Sequence, residues 1–380
     1  TTAVNVANTN LAVTSDNVTV WIRWGFKSSD YTSGDAIIDY PVSGLTNTTL
    51  GTGTGSTAAP AAAGSGGAGI VRITDYNSAT SAGVAVMQYV KSTQKTKSWK
   101  RGEWCDSNTW PTSVAFFDGR LWWAGQDKVW GTVSDDFENF NIDATGDSAP
   151  INRSIGFGPI GVINWILPLT RMVVGRDMSE TAIRSSSFDE PLTPTNFTMK
   201  DCSTQGSNRV QAVKIDTKGV FVQQSKRKVY ELAYDFNVQD YSARDLTRLN
   251  LDIGEDGFTQ MAVERQPDTQ IHFINNNGTA SVLLYDRDDQ VEAWWTVETD
   301  GVIEDVAVLP GDLEDLVYYI VRRTINSTTV RYMEKFALRS ECIGGTISKN
   351  LDSHINISQA SSTAITGLTT LEGSTVYVWA

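Results

Sequence analysis

Cysteine and histidine are scarce in this chain of 380 residues, which has three cysteines (Cys105, Cys202, Cys342) and two histidines (His272, His354). The cysteines lie far apart, are odd in number and show no Cys-x-x-Cys spacing, which argues against a zinc frame or a disulfide scaffold. A Ser-His-Asp triad would have to use one of the two histidines. His272 alternates with Ile271 and Phe273 and reads as a strand residue, whereas His354 follows Asp352 and Ser353 in a polar loop. No apolar run reaches the roughly 18 residues of a membrane-spanning helix, and no basic-then-apolar leader opens the sequence. A Gly-x-Gly-x-x-Gly fingerprint, a Walker A loop and a Gly-x-Ser-x-Gly elbow are all missing. No cofactor or metal is expected. Basic charge is also short, with 31 Lys and Arg against 44 Asp and Glu, a formal net charge of −13. That balance opposes gripping a nucleic-acid backbone, which needs clustered Lys and Arg. The chain opens on TTAVNV and stops on VYVWA, a mid-strand pattern, so a segment of a longer protein is expected.

Aromatic residues are plentiful: 12 Trp, 12 Tyr and 13 Phe. With many Thr and Val they favour sheet, and no long 3.6-period apolar stripe competes, so an all-β protein with minor helical turns is expected. NVTVWIRWGF reads as a strand with Val18, Val20, Ile22 and Trp24 on one face. The tract Thr46–Gly69 is almost wholly Gly, Ala, Ser and Thr, which lacks the bulk to build a core and reads as a flexible linker or loop. GIVRITDY and AGVAVMQYV resume the strand pattern, and the Pro-stopped stretch SWKRGEWCDSNTWP marks a boundary. Three parts result: a β-rich accessory domain over 1–104, a larger domain over 105–345, and a further β segment over 346–380.

The densest aromatic stretch is FFDGRLWWAG, Phe116–Gly125. Asp118-Gly119 is a strong signal for a two-residue hairpin turn with positive φ at both positions. It pairs Phe117 with Arg120, Phe116 with Leu121, Ala115 with Trp122 and Val114 with Trp123. One face then carries Val114, Phe116, Leu121 and Trp123, an apolar set fit for burial between sheets. The other carries Ala115, Phe117, Arg120 and Trp122, where the guanidinium can lie over a ring. Core packing of the fold is the expected role; a stacking platform for a sugar or base is the alternative. Strand–turn–strand units recur with strands starting near Leu121, Met172, Val220, His272 and Val317, a spacing of 45–52 residues. That period matches the four-stranded blades of a β-propeller, so about five blade-like modules are expected between 105 and 345, with a stacked β-sandwich as the alternative.

Two acidic runs could supply the paired carboxylates of a propeller glycosidase: Asp135, Asp136 and Glu138, and Asp286, Asp288 and Asp289. Both fall where turns are expected, and solvated turn residues are the simpler reading. DRDDQVE lacks the central Gly and closing Glu of a calcium loop. The one basic run, KSTQKTKSWKR, suits a Lys-guarded strand edge or, alternatively, contact with phosphates or an acidic subunit.

WPTSVAFFDGRLWWAGQDKVWGTVSDDFENF, which includes Trp122, Trp123, Trp130 and Phe140, is similar to a stretch in bacteriophage tail proteins of the tail tubular B, nozzle and packaged-DNA-stabilisation group of short-tailed phages. The likeness continues in order through IGVINWILPLTRMVVGRDMSETAIRS, VYELAYDFNVQDYSARDLTRL, VEAWWTVETDGVIEDVAVLPG (with Trp294 and Trp295) and TVRYMEKF, and extends into ITGLTTLEGSTVYVWA. It covers roughly residues 70–380; the residues before the Gly-rich tract, and the tract itself, match nothing in the group. The resemblance implies a β-propeller body with a second β-rich domain, assembled as a ring of six at the distal end of a virion tail. It implies a structural, non-enzymatic role in retaining packaged double-stranded DNA and conducting it at ejection without sequence-specific binding. Neighbouring tail or adaptor rings, tail fibres and the host envelope are the implied contacts. Six copies at 13 charges each carry roughly 78 negative charges, a field that repels DNA from a channel wall. The rival readings are a carbohydrate-binding tail adhesin, with Trp123, Trp130, Trp294 and Trp295 partly exposed in a row where the nozzle reading expects them mostly buried, and a propeller glycosidase with a deep pocket.

Overall fold

The computed structural model describes strand segments between Thr2 and Arg101, residue 104, and residues 110–339 apart from 141–143, 157, 159–160, 187–189, 287–288 and 290. Beyond these it describes 364–368 and 373. The chain separates into two compact units, Thr1–Pro111 and Thr112–Ala380. The first contains one antiparallel sheet of β1 (Thr2–Asn5), β2 (Thr19–Arg23), β3 (Ile37–Ile38), β4 (Ala68–Ser78), β5 (Ser81–Gln88) and β6 (Trp99–Arg101), in the order β3-β1-β5-β4-β2-β6. Most of the Gly-rich tract, nearly all of 346–380, His354, Cys105, Cys342, Asp288 and the basic run up to Ser98 lie outside the described residues.

The second unit is propeller-like: five antiparallel sheets follow one another along the chain. Blade one comprises β7 (Ser113–Phe117), β8 (Arg120–Gly125), β9 (Lys128–Gly131) and β10 (Ile151–Ser154). Blade two comprises β11 (Ile163–Pro168), β12 (Met172–Arg176), β13 (Glu180–Arg184) and β14 (Thr198–Ser203). Blade three comprises β15 (Val213–Ile215), β16 (Lys218–Val222), β17 (Val229–Asp235) and β18 (Asp240–Asp245). Blade four comprises β19 (Phe258–Glu264), β20 (Gln270–Asn275), β21 (Ala280–Asp286) and β22 (Val291–Val297). Blade five has three described strands, β23 (Val302–Leu309), β24 (Leu316–Ile325) and β25 (Thr328–Lys335). The repeat read from sequence falls on the second strand of every blade. The opening strands β7, β11, β15, β19 and β23 adjoin in succession, as in radial packing. One short 3-10 turn spans Leu251–Gly254.

Apolar burial sits between the sheets. Trp122, Val129 and Ile151 of blade one meet Ile166, Val174 and Ile183 of blade two. Trp165, Leu167 and Val173 then meet Phe221, Leu232 and Tyr241 of blade three. Val220, Val222 and Val229 meet Phe258, Phe273 and Leu283 of blade four, and Ile274 and Ala280 meet Ile303, Val317 and Val321 of blade five. Strands buried on both faces carry continuous apolar runs, as in INWILP and MVVGR. Close approach sets one glycine: a Cβ on Gly175 would lie 2.1 Å from Cε2 of Trp165, so the indole lies against bare backbone.

Candidate functional site

The hairpin forms as its sequence dictates. Asp118 and Gly119 take φ of 52° and 67°, and the pairs are Val114–Trp123, Ala115–Trp122, Phe116–Leu121 and Phe117–Arg120. The buried face, however, is the opposite of the expected one. Val114 and Phe116 are exposed, at 47% and 63%, and Leu121 and Trp123 are half-buried, whereas Trp122 is fully enclosed and Arg120 is 2% exposed. The physical reason is what lies behind each face. Trp122 enters the seam with blade two, stacks near-parallel on Phe197 at 6.0 Å and donates its indole N–H to the Phe117 carbonyl. Arg120 does not lie over a ring. Its guanidinium donates to the carbonyls of Thr132, Asp147 and Ala149 at 2.6–2.7 Å and of Ser148 at 3.2 Å, tying the long β9–β10 connection to the hairpin.

Asp118 adds a second lock: its carboxylate accepts the backbone N–H of Leu192, in blade two. Phe116 meets Phe137 edge to face at 5.1 Å. Trp123 and Trp130 are cross-strand partners, both half-buried, and Phe140 is half-buried too. In blade four, Trp294 is half-buried against Phe258 and Phe273 and donates its indole N–H to the Leu246 carbonyl, while Trp295 is 37% exposed. The four tryptophans proposed as a burial criterion are therefore neither sealed in a core nor displayed as a row.

The polar groups left unread by the sequence form the other seams. His272 is fully buried; its Nδ1 lies 2.6 Å from the Tyr319 hydroxyl of blade five and its Nε2 2.9 Å from Glu264 Oε2. Burial pushes the Tyr319 phenol well above its ordinary range, with the Glu264 charge adding to it, so it stays protonated. Glu231, 2% exposed, takes the Tyr285 hydroxyl from blade four and lies 3.6 Å from Lys218 Nζ. Arg171 lies over Tyr234 at 5.2 Å and donates to the Gln239 carbonyl, and its backbone N–H reaches the Tyr241 hydroxyl. Arg176 pairs with Asp201 at 2.5 Å beside Thr181 Oγ1. Cys202 is a free thiol whose pKa is raised by burial, with neighbouring carboxylates adding to the shift, which makes it a poor nucleophile.

The acidic runs are turns. Asp135 and Asp136 are exposed; Asp135 has a φ of 58° and donates its backbone N–H to the Gly119 carbonyl, and Asp136 accepts from Asn139. Asp286 accepts the Asp289 backbone N–H. Among the described residues no three His, Cys, Asp or Glu side chains converge as metal ligands. One cleft does open beside the hairpin turn. It holds about 250 Å³, with Phe117, Ile183 and Leu192 as its floor and Asp118, Arg171, Arg184 and Glu190 among its polar lining.

No protein-family model and no curated protein matches the chain. Among solved structures, the chain resembles the WD40 domain of Neurospora crassa Pan2 (15% identity, 61% of this chain and 63% of that one, TM-score 0.34). It also resembles the β-propeller domain of Cps50 (Swd1) from Myceliophteria thermophila (8% identity, 69% and 82%, TM-score 0.36). A protein from Lactobacillus plantarum is similar as well (12% identity, 84% and 96%, TM-score 0.35). The chain spans less than two thirds of the Pan2 domain's length.

Proposed function

We propose that the chain is a structural protein of a phage tail, a nozzle or tubular subunit that retains packaged DNA and conducts it at ejection. One observation carries this reading: the segments that resemble the tail group supply the joints between blades. The first provides Asp118 and Trp122 at the seam of blades one and two. The second and third provide Trp165, Arg171, Leu232 and Tyr241 at the next seam. The fourth provides Trp294, whose indole N–H reaches the Leu246 carbonyl at the end of blade three, and the last provides Phe336, whose ring lies 5.9 Å from His272 of blade four. A sequence signature whose large side chains go mainly to packing favours a scaffold over a catalyst. A net charge of −13 suits passage of DNA without adhesion.

The deciding experiment is native mass by light scattering behind a sizing column, with electron microscopy of the peak. A closed ring of about six copies with an open axis supports the conduit. The exposed rings of Phe116 and Trp295 favour the adhesin as second reading. A monomer at high concentration that also binds a defined glycan, and loses that binding in Trp295→Ala, would replace the nozzle with the adhesin.

A further inference from the structure

We propose that the cleft beside the Asp118–Gly119 turn is a binding site for a carboxylate group carried on a short apolar body. The inference does not rest on the tail reading. Phe117, Ile183 and Leu192 line it where it meets the core shared by blades one and two, and the Asp118–Leu192 hydrogen bond crosses beside it.

The charges around it are committed, with one exception. Asp118 is occupied by the Leu192 N–H. Glu190 Oε2 takes Ser186 Oγ and Asn196 Nδ2 at 2.7 Å each, and those bonds hold its carboxyl below the usual carboxylate range, so it stays anionic. Arg171 is held by Gln239, the Tyr234 ring and Asp240, the last at 4.0 Å. Arg184 is half-buried at the end of β13, and its side chain forms no hydrogen bond or ion pair with any described residue. The buried arginines Arg120, Arg176 and Arg323 all have acceptors. A guanidinium that has lost part of its water and faces a cavity presents a planar fork to a two-oxygen anion.

The cleft's size and sign narrow the ligand. A volume of about 250 Å³ lies below that of sites for drug-sized molecules, so the body is small. Asp118 and Glu190 offset the guanidiniums of Arg171 and Arg184, so the lining has no net positive charge to hold a dianion, which favours carboxylate over phosphate. The half-buried Phe117 ring gives a small apolar body a face to cover, while Ile183 and Leu192 are sealed behind it. The carboxylate can come from a free acid or from an acidic side chain of a second copy of this chain.

Benzoate is the probe, titrated calorimetrically into the full chain, with neutral benzamide as control. Saturable benzoate binding is expected, with no benzamide binding. Arg184→Gln should weaken it at least about tenfold, Arg184→Lys less, and Glu190→Gln should tighten it, with melting temperatures confirming that each variant folds. Equal binding by Arg184→Gln, equal binding of benzamide, or no saturation would overturn the site. Sedimentation velocity separates the sources. Self-association that benzoate and Arg184→Gln both abolish assigns the carboxylate to a second copy; an unchanged sedimentation coefficient assigns it to a free acid.

Discussion

The Asp118 carboxylate and the backbone N–H of Leu192 join the first hairpin turn to the second blade across 74 residues of sequence. Asp118 thus serves two purposes, since the same residue adopts the positive φ its turn requires. Asp118→Asn keeps a side chain that tolerates the left-handed region and an oxygen able to accept the bond, and should cost about 1 kcal/mol or less. Asp118→Ala loses both and should cost about 2–3 kcal/mol. Urea denaturation midpoints at constant slope measure the difference, and equal losses would remove the seam bond from the account.

Arg120 is the more severe case. Its four carbonyl acceptors, in Thr132 and Asp147–Ala149, would be left short of donors by Arg120→Met, a substitution that retains much of the stem's packing. A loss above about 3 kcal/mol is expected, with early proteolysis in the β9–β10 connection. Limited proteolysis with mass mapping reads both; a cut elsewhere would show that the guanidinium does not organise this loop.

The buried Glu264–His272–Tyr319 chain is expected to act as a unit. Tyr319→Phe removes one hydroxyl and His272→Phe the hub, and each should destabilise by about 1–3 kcal/mol. In the double variant the losses should fall short of additivity by about 1 kcal/mol or more. Additive losses would mean the blade-four and blade-five groups are energetically separate.

Glu180 sets a pH dependence of definite sign. Burial is the main cause of its raised pKa, working against hydrogen bonds from Ser203, Ser207 and the Gln205 backbone. A carboxyl raised in the folded state contributes stability that is complete below its unfolded value and is lost as pH rises through its folded value. Stability should therefore fall through this group as pH rises above the ordinary 4.5 and through the raised folded-state value, and Glu180→Gln should flatten that slope. For Asp245, burial also pushes upward but is outweighed by Lys228 and Thr247, which hold it low; its contribution disappears only in acid, below the ordinary 3.8. Melting temperature against pH for both proteins distinguishes the two, and an unchanged slope in the variant would acquit Glu180.

The hairpin and the blade period were legible because both are local. Asp-Gly fixes its turn within four residues, and each strand carries its own apolar pattern. The burial of the hairpin was misread because both faces carry large apolar side chains, and the choice depends on Ile183, Leu192 and Phe197, some 60–80 residues downstream. The polar seams were invisible for the same reason. His272 and Tyr319 are 47 residues apart and Glu231 and Tyr285 are 54 apart, and nothing in either strand alone announces its partner. Charged letters inside apolar strands, such as Glu231 in VYELAYD and Glu180 in ETAIR, were the available signal.

Because the apolar cores lie between sheets and not within them, no blade owns its stability. Each of the described blades lends one or both faces to a neighbour, so a blade cut out alone would expose what it had shared and should not persist. Tension along the chain passes through these seams as through links in series, and the weakest link sets the strength. The seam between blades four and five, with a smaller group of buried side chains and the Glu264–His272–Tyr319 chain as its polar clasp, is where the array should part first.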